Sequence, residues 1–247
     1  MRLRAAALAA IVGILALSAC SRAGLARQYE YEEELFLSLD GSADLVVNAS
    51  VPALVALRGL PFDPSATARL DRDEVRDAFA APGVEVVRVS RPWRRSGRRY
   101  VQVRVSTSDV RTLGRVAPFA WSRYDFTRAG GHATYRQVMG PPARADVPAG
   151  TGWTGSEMVA VRLHVPSQIR YHNAPTREIQ RGNILAWEQT LSDRLAGRTL
   201  DIEVRMDAQS ILARTMLVFG VSVGAALLLL AAIIWWVVRT GRARAVR

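Results

Sequence analysis

This chain has no lysine, one cysteine and three histidines among its 247 residues, and these absences exclude several kinds of protein. A single cysteine cannot form an internal disulfide, so the domain must be held together by its core. His132, His164 and His172 do not have the HxxxH or HExxH spacing of a metal site. The GxSxG, SxxK, Walker and GxGxxG motifs are absent as well. We therefore expect no enzymatic activity, no metal and no cofactor.

The positive charge is concentrated at the two ends of the chain. All 33 basic residues are arginines, and with 22 acidic residues they give a formal charge of +11. Two arginines lie within the first four residues, one is Arg214, and four follow Val238. The segment between carries the other 26 arginines and all 22 acidic residues, a net charge of +4. Such a small excess does not indicate nucleic-acid binding, so we expect no nucleic-acid partner.

The first twenty residues have the three parts of a secretory signal peptide. A basic start is followed by an apolar run over residues 5–17, too short to span a bilayer, and then by small residues. The ending LSAC, which closes at Cys20, resembles the bacterial lipobox, whose cysteine is acylated and becomes the mature N-terminus. We predict a lipoprotein signal peptide over residues 1–19 and lipidation, palmitate included, at Cys20. The alternative is an ordinary secretory cleavage site beside an unmodified cysteine.

A second apolar segment lies near the C-terminus. The 24 residues between Arg214 and Arg239 carry no charge, and a helix of this length crosses a bilayer. Two tryptophans stand at its far end, four arginines follow, and positive segments stay in the cytoplasm. We predict a transmembrane helix over residues 213–238 in a bacterial cytoplasmic membrane and a basic cytoplasmic tail over residues 239–247. The alternative is a buried helix of a soluble protein.

Residues 20–210 are predicted to form an extracytoplasmic α+β domain, mostly antiparallel sheet with two or three short helices. Residues 34–39 and 42–51 alternate between apolar and polar side chains, as half-buried strands do. They are joined by Asp40-Gly41, a pair typical of a type I′ turn. These two strands are predicted to form a hairpin.

Helix-start signals and further alternating segments complete the predicted domain. One helix is predicted over residues 52–59 after Ser50 or Val51, another from Asp71, where Glu74 suits a capping box, and a third is capped by Ser108. Residues 140–155 are rich in proline and glycine and mark a loop, and whether this loop divides two subdomains is left open. Further strands are predicted over residues 84–90, 99–105, 121–127, 133–139, 158–165, 183–191 and 200–206.

Two stretches of sequence, with the lipobox and the C-terminal apolar segment, resemble the LppM-type bacterial envelope lipoproteins. They are the hairpin SLDGSADLVVNASV and the closing stretch VRLHVPSQIRYHNAPTREIQRGNILAWEQTLSDRLAG. In the latter, a strand ending in Pro166 precedes a turn with Asn173, a strand with Trp187 and a turn at Gly197. The resemblance implies an envelope protein whose domain binds lipid or glycolipid, with no assigned enzymatic activity. It supplies no ligand residue to carry over.

One turn combines aromatic and basic side chains. It contains Trp93, with Arg94, Arg95, Arg98 and Arg99. Guanidinium groups bind phosphate through paired hydrogen bonds, and tryptophan favours the bilayer interface. We predict that these five residues contact lipid head groups or a partner. The alternative is a solvated turn in a protein whose cations are all arginines.

A second candidate site is a cavity beside a predicted strand. Trp187 stands in the middle of this strand, with Leu185 and Leu191 as apolar neighbours. If the sheet curves around a cavity, these three side chains line it. The alternative is that they pack in the core.

The predicted function is lipid or glycolipid binding by a doubly anchored envelope lipoprotein, without catalysis. Membrane lipids are the expected partners, and an envelope protein is a further possible one. The alternative is a protein-interaction or assembly module of a membrane complex, and Gly220 and Gly224 form a GxxxG pattern suited to helix packing. A hydrolase of unfamiliar design is a third reading. The oligomeric state is left open.

Overall fold

The computed structural model describes residues 27–144 and 146–245, so the predicted signal peptide and Cys20 lie outside the described residues. The helices are α1 (Val51–Arg58), α2 (Arg72–Phe79), α3 (Leu191–Leu195) and α4 (Ile211–Ala245), with short 3-10 turns at Val110–Arg115 and Ala117–Phe119. The strands are β1 (Tyr29–Leu37), β2 (Ala43–Ser50), β3 (Val84–Val89), β4 (Trp93–Arg95), β5 (Arg98–Thr107), β6 (Ser122–Ala129), β7 (His132–Met139), β8 (Met158–His164), β9 (Ser167–His172), β10 (Ile184–Thr190) and β11 (Leu200–Ser210).

The strands form two sheets, which confirms the predicted α+β class. The large sheet has the order β10-β8-β1-β2-β5-β3, with β4 also paired to β5, and the small sheet has the order β6-β7-β11-β9. Strands β1 and β8 run parallel, whereas the other pairs of these sheets are antiparallel. Neither β4 nor β9 was predicted, and α3 occupies residues predicted to form a turn.

One continuous hydrophobic core joins the two sheets. Leu35 on β1 and Leu45 on β2 point inward from the large sheet, and Tyr135 on β7 and Val204 on β11 do so from the small sheet. The alternation of side chains along each strand produces this arrangement, because every second residue faces the same side. The loop after Gly140 packs against the same body through hydrogen bonds from the amides of residues 143 and 144 to the end of α1.

Local signals set the ends of the first two helices. The Ser50 side chain accepts a hydrogen bond from the Ala53 amide, 3.2 Å away, and α1 ends at Gly59 in the left-handed conformation. Asp71 caps α2 by accepting from the Asp73 amide at 2.9 Å. Ser50, one of two predicted alternatives, and Asp71 are thereby confirmed as N-caps. The third prediction was wrong, because Asp109 and not Ser108 caps the 3-10 turn by accepting from the Arg111 amide.

The β1–β2 turn differs from the predicted type. The Gly41 amide donates to the Ser38 carbonyl at 3.1 Å, so Leu39 and Asp40 are the central residues of the turn. Gly41, with a φ of +91°, follows them, and Asp40 does not have a positive φ. This is a four-residue turn, Ser38–Gly41, whose last residue is a left-handed glycine, and not a type I′ turn. Dipeptide identity could not distinguish the two because glycine suits both.

The two ends of the large sheet have different neighbours. Ser50 and Tyr100 lie beside the start of β1, at what we call the Tyr29 end. His164 lies beside the other end of β1, which we call the Leu37 end. Ser210, the last residue of β11, pairs with Ser167, only three residues after His164. Helix α4 therefore leaves the domain near the Leu37 end, about 30 Å from the β4–β5 turn at the Tyr29 end.

Helix α4 includes the predicted transmembrane segment. It contains a 22-residue stretch, Thr215–Trp236, with a mean hydropathy of 2.7. Nothing in the described part of the chain covers this stretch, which is long and apolar enough to span a membrane.

Candidate functional site

The aromatic and basic turn is a two-residue β-hairpin at the Tyr29 end. Arg95 pairs with Arg98 across Ser96 and Gly97, whose φ values are +49° and +73°. Two consecutive positive φ angles are the signature of a type I′ turn. Trp93 stands opposite Tyr100, and their rings stack with centroids 5.8 Å apart. The stacking fixes the direction of a tryptophan that stays 39% exposed.

The exposed cations of this hairpin lack acidic partners. Arg91, Arg94 and Arg95 are exposed, and among the described residues none has a carboxylate within 4.0 Å. Their guanidinium groups are free to bind an anion from solution or from a membrane surface. We call Trp93 with these three arginines the basic hairpin tip.

Arg98 faces the interior instead. It is 5% exposed, its Nε lies 2.9 Å from Glu30 Oε1, and its Nη1 donates to the Thr151 carbonyl at 2.9 Å. A contact between Arg98 and lipid head groups is incompatible with this burial, so that prediction is corrected. Arg99 is half-buried and donates to the Ala66 carbonyl at 3.4 Å. Two of the five predicted contact residues thus serve the fold.

The buried side of the hairpin holds a tyrosine whose phenol is bonded to a carboxylate. The Tyr100 hydroxyl donates to Glu30 Oε1 at 2.7 Å. Burial raises the pKa of Tyr100 to about 12, and the charge of Glu30 adds to the shift. The phenol therefore stays protonated at neutral pH and acts as a hydrogen-bond donor.

The predicted cavity residues lie in the packed core. Leu185, Trp187 and Leu191 are at most 1% exposed and belong to the continuous hydrophobic cluster. The indole Nε1 of Trp187 donates to Asn173 Oδ1 at 3.1 Å. These contacts assign the three side chains to stability and not to a ligand. The three side chains therefore pack in the core, which was the alternative to a cavity lining.

A surface groove that the sequence analysis missed lies beside β9. Its volume is about 650 Å³, and it is lined by residues 170–175 and Arg177. Tyr171 is 48% exposed, and the Arg205 guanidinium lies over its ring at 5.1 Å. Asn173 holds the groove against β11 by donating to the Asp201 carbonyl at 3.0 Å. Ile169 and Tyr171 alternate with polar residues, as in a half-buried strand. This strand was not predicted because Pro166, which precedes it, indicates a turn.

The histidines are separate from one another. His164 lies 2.7 Å from Glu34 and stacks on Phe36, His132 lies 3.7 Å from Asp207, and His172 lines the β9 groove. Within residues 27–144 and 146–245, no group of three or more histidine, cysteine or acidic side chains is arranged to hold a metal.

Comparison with known proteins gives one structural likeness. No family model matches the chain, and no curated protein matches it in sequence. A solved structure that matches is the NMR structure of the folded domain of the Mycobacterium tuberculosis LppM protein. The match covers 74% of this chain and 92% of that chain, with 13% sequence identity and a TM-score of 0.39. It bears the name of the family that the sequence resembles, and it assigns no role to any residue here.

Proposed function

We propose that this chain is a membrane-anchored envelope lipoprotein whose extracytoplasmic domain binds anionic lipid or glycolipid head groups without transforming them. The observation that supports it most is the basic hairpin tip, where exposed Trp93 stands beside arginines without acidic partners. Tryptophan partitions to the bilayer interface, and each arginine near an anionic surface contributes about 1 kcal/mol.

The anchoring part of the proposal places α4 across the cytoplasmic membrane. The arginines that follow Val238 keep the C-terminus in the cytoplasm, and the domain then lies outside. Acylation of Cys20 supplies a second anchor at the other end of the domain. A single acyl chain binds a bilayer reversibly, whereas the helix is permanent.

The two anchors leave the domain from opposite ends, and this geometry brings the hairpin to the membrane. Helix α4 leaves near the Leu37 end, whereas Arg27 precedes β1 at the Tyr29 end. Arg27 follows Cys20 by seven positions, a chain length that spans at most about 25 Å. A domain that stands upright on α4 holds its Tyr29 end about 30 Å higher, beyond that reach. Two anchors in one membrane therefore tilt the domain, and the basic hairpin tip descends with the Tyr29 end.

The test uses the full chain in lipid nanodiscs, with a fluorophore on Ser96→Cys that reports local polarity. Cys20 is the only native cysteine, and its acylation leaves the new thiol as the labelling site. We expect the emission to shift further to the blue in discs with phosphatidylglycerol than in discs of phosphatidylcholine alone. Arg94→Gln with Arg95→Gln should reduce the bound fraction, because about 2 kcal/mol of surface attraction corresponds to roughly thirty-fold in binding.

The matched control is Arg123→Gln with Arg181→Gln, which removes the same charge from exposed positions away from the hairpin. This pair should bind anionic discs like the unmodified chain. Equal emission in both lipids for all three proteins would sink the proposal. An equal loss in both double variants would show that net charge alone attracts the domain.

Assembly through the membrane helix is the second candidate function. Gly220 and Gly224 lie one turn apart on α4, and a Cβ added at either position would meet no atom within 4 Å. This leaves a shallow groove where another helix can approach closely. Gly220→Ile with Gly224→Ile should abolish crosslinked dimers in nanodiscs if the groove is an interface. Lipid binding at the hairpin should persist in that variant.

A further inference from the structure

The interior of the domain contains a charged cluster that a hydrophobic core does not need. Glu33 on β1, Arg58 at the end of α1 and Arg194 on α3 are 1%, 7% and 0% exposed. Moving ionised groups out of water costs several kcal/mol each unless charge and hydrogen bonds compensate them. We call these three residues with Trp121 the buried arginine centre.

Glu33 is fully engaged within the centre. It accepts from the Tyr31 hydroxyl at 2.5 Å, from Gln137 Nε2 at 3.0 Å and from Arg58 Nη2. This carboxylate neutralises one guanidinium, and Arg58 is the one it contacts.

Arg194 has no carboxylate of its own. Its Nη2 donates to the Gly140 carbonyl at 2.6 Å and its Nη1 donates to the Arg198 carbonyl. In the described part of the chain, no acidic side chain lies within 4.0 Å of it. Burial lowers the pKa of Arg194 to about 10, and the charge of Arg58 adds to the shift. Arg194 still carries its proton at neutral pH, so the centre has one more positive than negative charge.

Trp121 connects the two guanidinium groups. Their Cζ atoms lie 3.5 Å (Arg58) and 4.6 Å (Arg194) from its ring centroid. Contact with an aromatic ring offsets part of the cost of a buried cation, but it satisfies no N–H group. Trp121 is itself only partly buried, and its ring meets Tyr31 edge-on with centroids 6.5 Å apart.

Several buried donors of the centre have no acceptor. They are Nε and Nη1 of Arg58, Nε of Arg194 and Nε1 of Trp121, and none has a hydrogen-bond partner among the described residues. Buried polar atoms are almost always paired, and all four of these are donors. A surplus of donors together with a surplus of positive charge calls for a group with several lone pairs and negative charge. Guanidinium N–H groups form charge-assisted hydrogen bonds with oxyanions, and each free N–H donates singly here, because Nη2 of Arg58 and both Nη atoms of Arg194 already have acceptors.

We propose that Arg58 and Arg194, with the indole N–H of Trp121, bind an oxyanion of the phosphate type. The same chemistry is offered by free phosphate and by the phosphate of a lipid head group. The site is separate from the basic hairpin tip and does not depend on the proposed function.

The experiment measures thermal unfolding of the full chain in an uncharged detergent, with phosphate titrated at constant ionic strength held by sodium chloride. A ligand that binds only the folded state raises Tm along a saturation curve, by roughly 5–10 °C at a hundred times Kd. Arg194→Lys keeps the charge but removes Nε–H, the donor of Arg194 that has no acceptor, so it should lose the saturable rise. Arg136→Met, at an exposed pair with Glu203 on the small sheet, is the matched control and should keep it.

A second arm distinguishes the two sources of the oxyanion. The same titration uses micelles doped with phosphatidic acid in place of free phosphate. A saturable rise in either arm that is lost in Arg194→Lys supports the site, and the arm in which it occurs names the source. A linear rise of equal slope in all three proteins is a general salt effect and overturns the proposal.

Calorimetry on the unmodified chain keeps the test decisive if Arg194→Lys does not fold. One phosphate or one phosphatidic acid per chain is the expected stoichiometry. No saturation of either ligand by about 20 mM, a hundred-fold above a submillimolar Kd, would overturn the proposal.

Discussion

Arg94 and Arg98 lie four residues apart on one hairpin, and yet their environments are opposite. Arg94 is exposed on β4 without an acidic neighbour in the described structure, whereas Arg98 is buried on β5 against Glu30. The same contrast holds between the hairpin tip and the buried arginine centre. This chain has no lysine, so arginine occupies exposed positions, where a lysine would serve equally well. It also occupies buried positions, where a lysine would not. The planar guanidinium tolerates burial because it stacks on rings and forms several directed hydrogen bonds.

The largest expected loss of stability is at Arg58, an arginine of the interior. Arg58→Met leaves Glu33 buried without its cation, and breaking a buried pair in this way costs about 3–5 kcal/mol in the free energy of unfolding. Urea unfolding of the purified chain, followed by tryptophan fluorescence, measures the loss. Arg104→Met is the control, because its pair with Asp44 is half exposed and should cost about 0–1 kcal/mol. Similar values for both variants would remove the distinction between interior and surface arginines.

A direct comparison within the hairpin comes next. Arg98→Met removes the contact with Glu30 and the hydrogen bond to Thr151, and we expect a loss of about 2–4 kcal/mol. Arg94→Met changes an exposed side chain and should stay within about 0.5 kcal/mol of the unmodified chain. The same urea titration measures both. A large loss for Arg94→Met would mean that the hairpin tip is part of the fold.

The smallest effect concerns the loop beside Arg98, and it depends on pH. Burial acts to raise the pKa of Glu157, but hydrogen bonds from the Thr154 and Gly155 amides and the charge of Arg98 outweigh it and leave the pKa lowered. A lowered carboxyl pKa stabilises the fold above the ordinary value near 4.5, and this contribution is lost as the pH falls through the lowered pKa.

Glu157→Gln should therefore cost about 1–2 kcal/mol at pH 7. The difference from the unmodified chain should shrink as the pH is lowered below 4.5. Unfolding at pH 7 and at pH 3 to 4 measures it, and Glu178→Gln, on an exposed loop, is the control substitution. A difference that is constant with pH would mean that the Glu157 charge is not what holds the loop.

Sequence patterns predicted the features that depend on neighbouring residues. Alternation predicted the β1–β2 hairpin and strands β6 and β7, and Ser50 and Asp71 were recognised as caps, because each pattern involves residues within a few positions of one another. Strand β9 was missed since it is short and follows Pro166, and the β1–β2 turn was given the wrong type since glycine suits both forms. Lipidation of Cys20 stays a prediction.

The sequence by itself determined that the chain has one long apolar segment near its C-terminus, an α+β domain and a cluster of arginines around Trp93. These follow from length, period and composition, which are properties of neighbouring residues. Only the tertiary structure decided that β1 pairs in parallel with β8, and that Gln137 bonds to Glu33 across 104 positions. It also decided which arginines are buried. Burial and ion pairing depend on residues distant in sequence, and all 33 arginines are chemically the same until the fold gives each its neighbours.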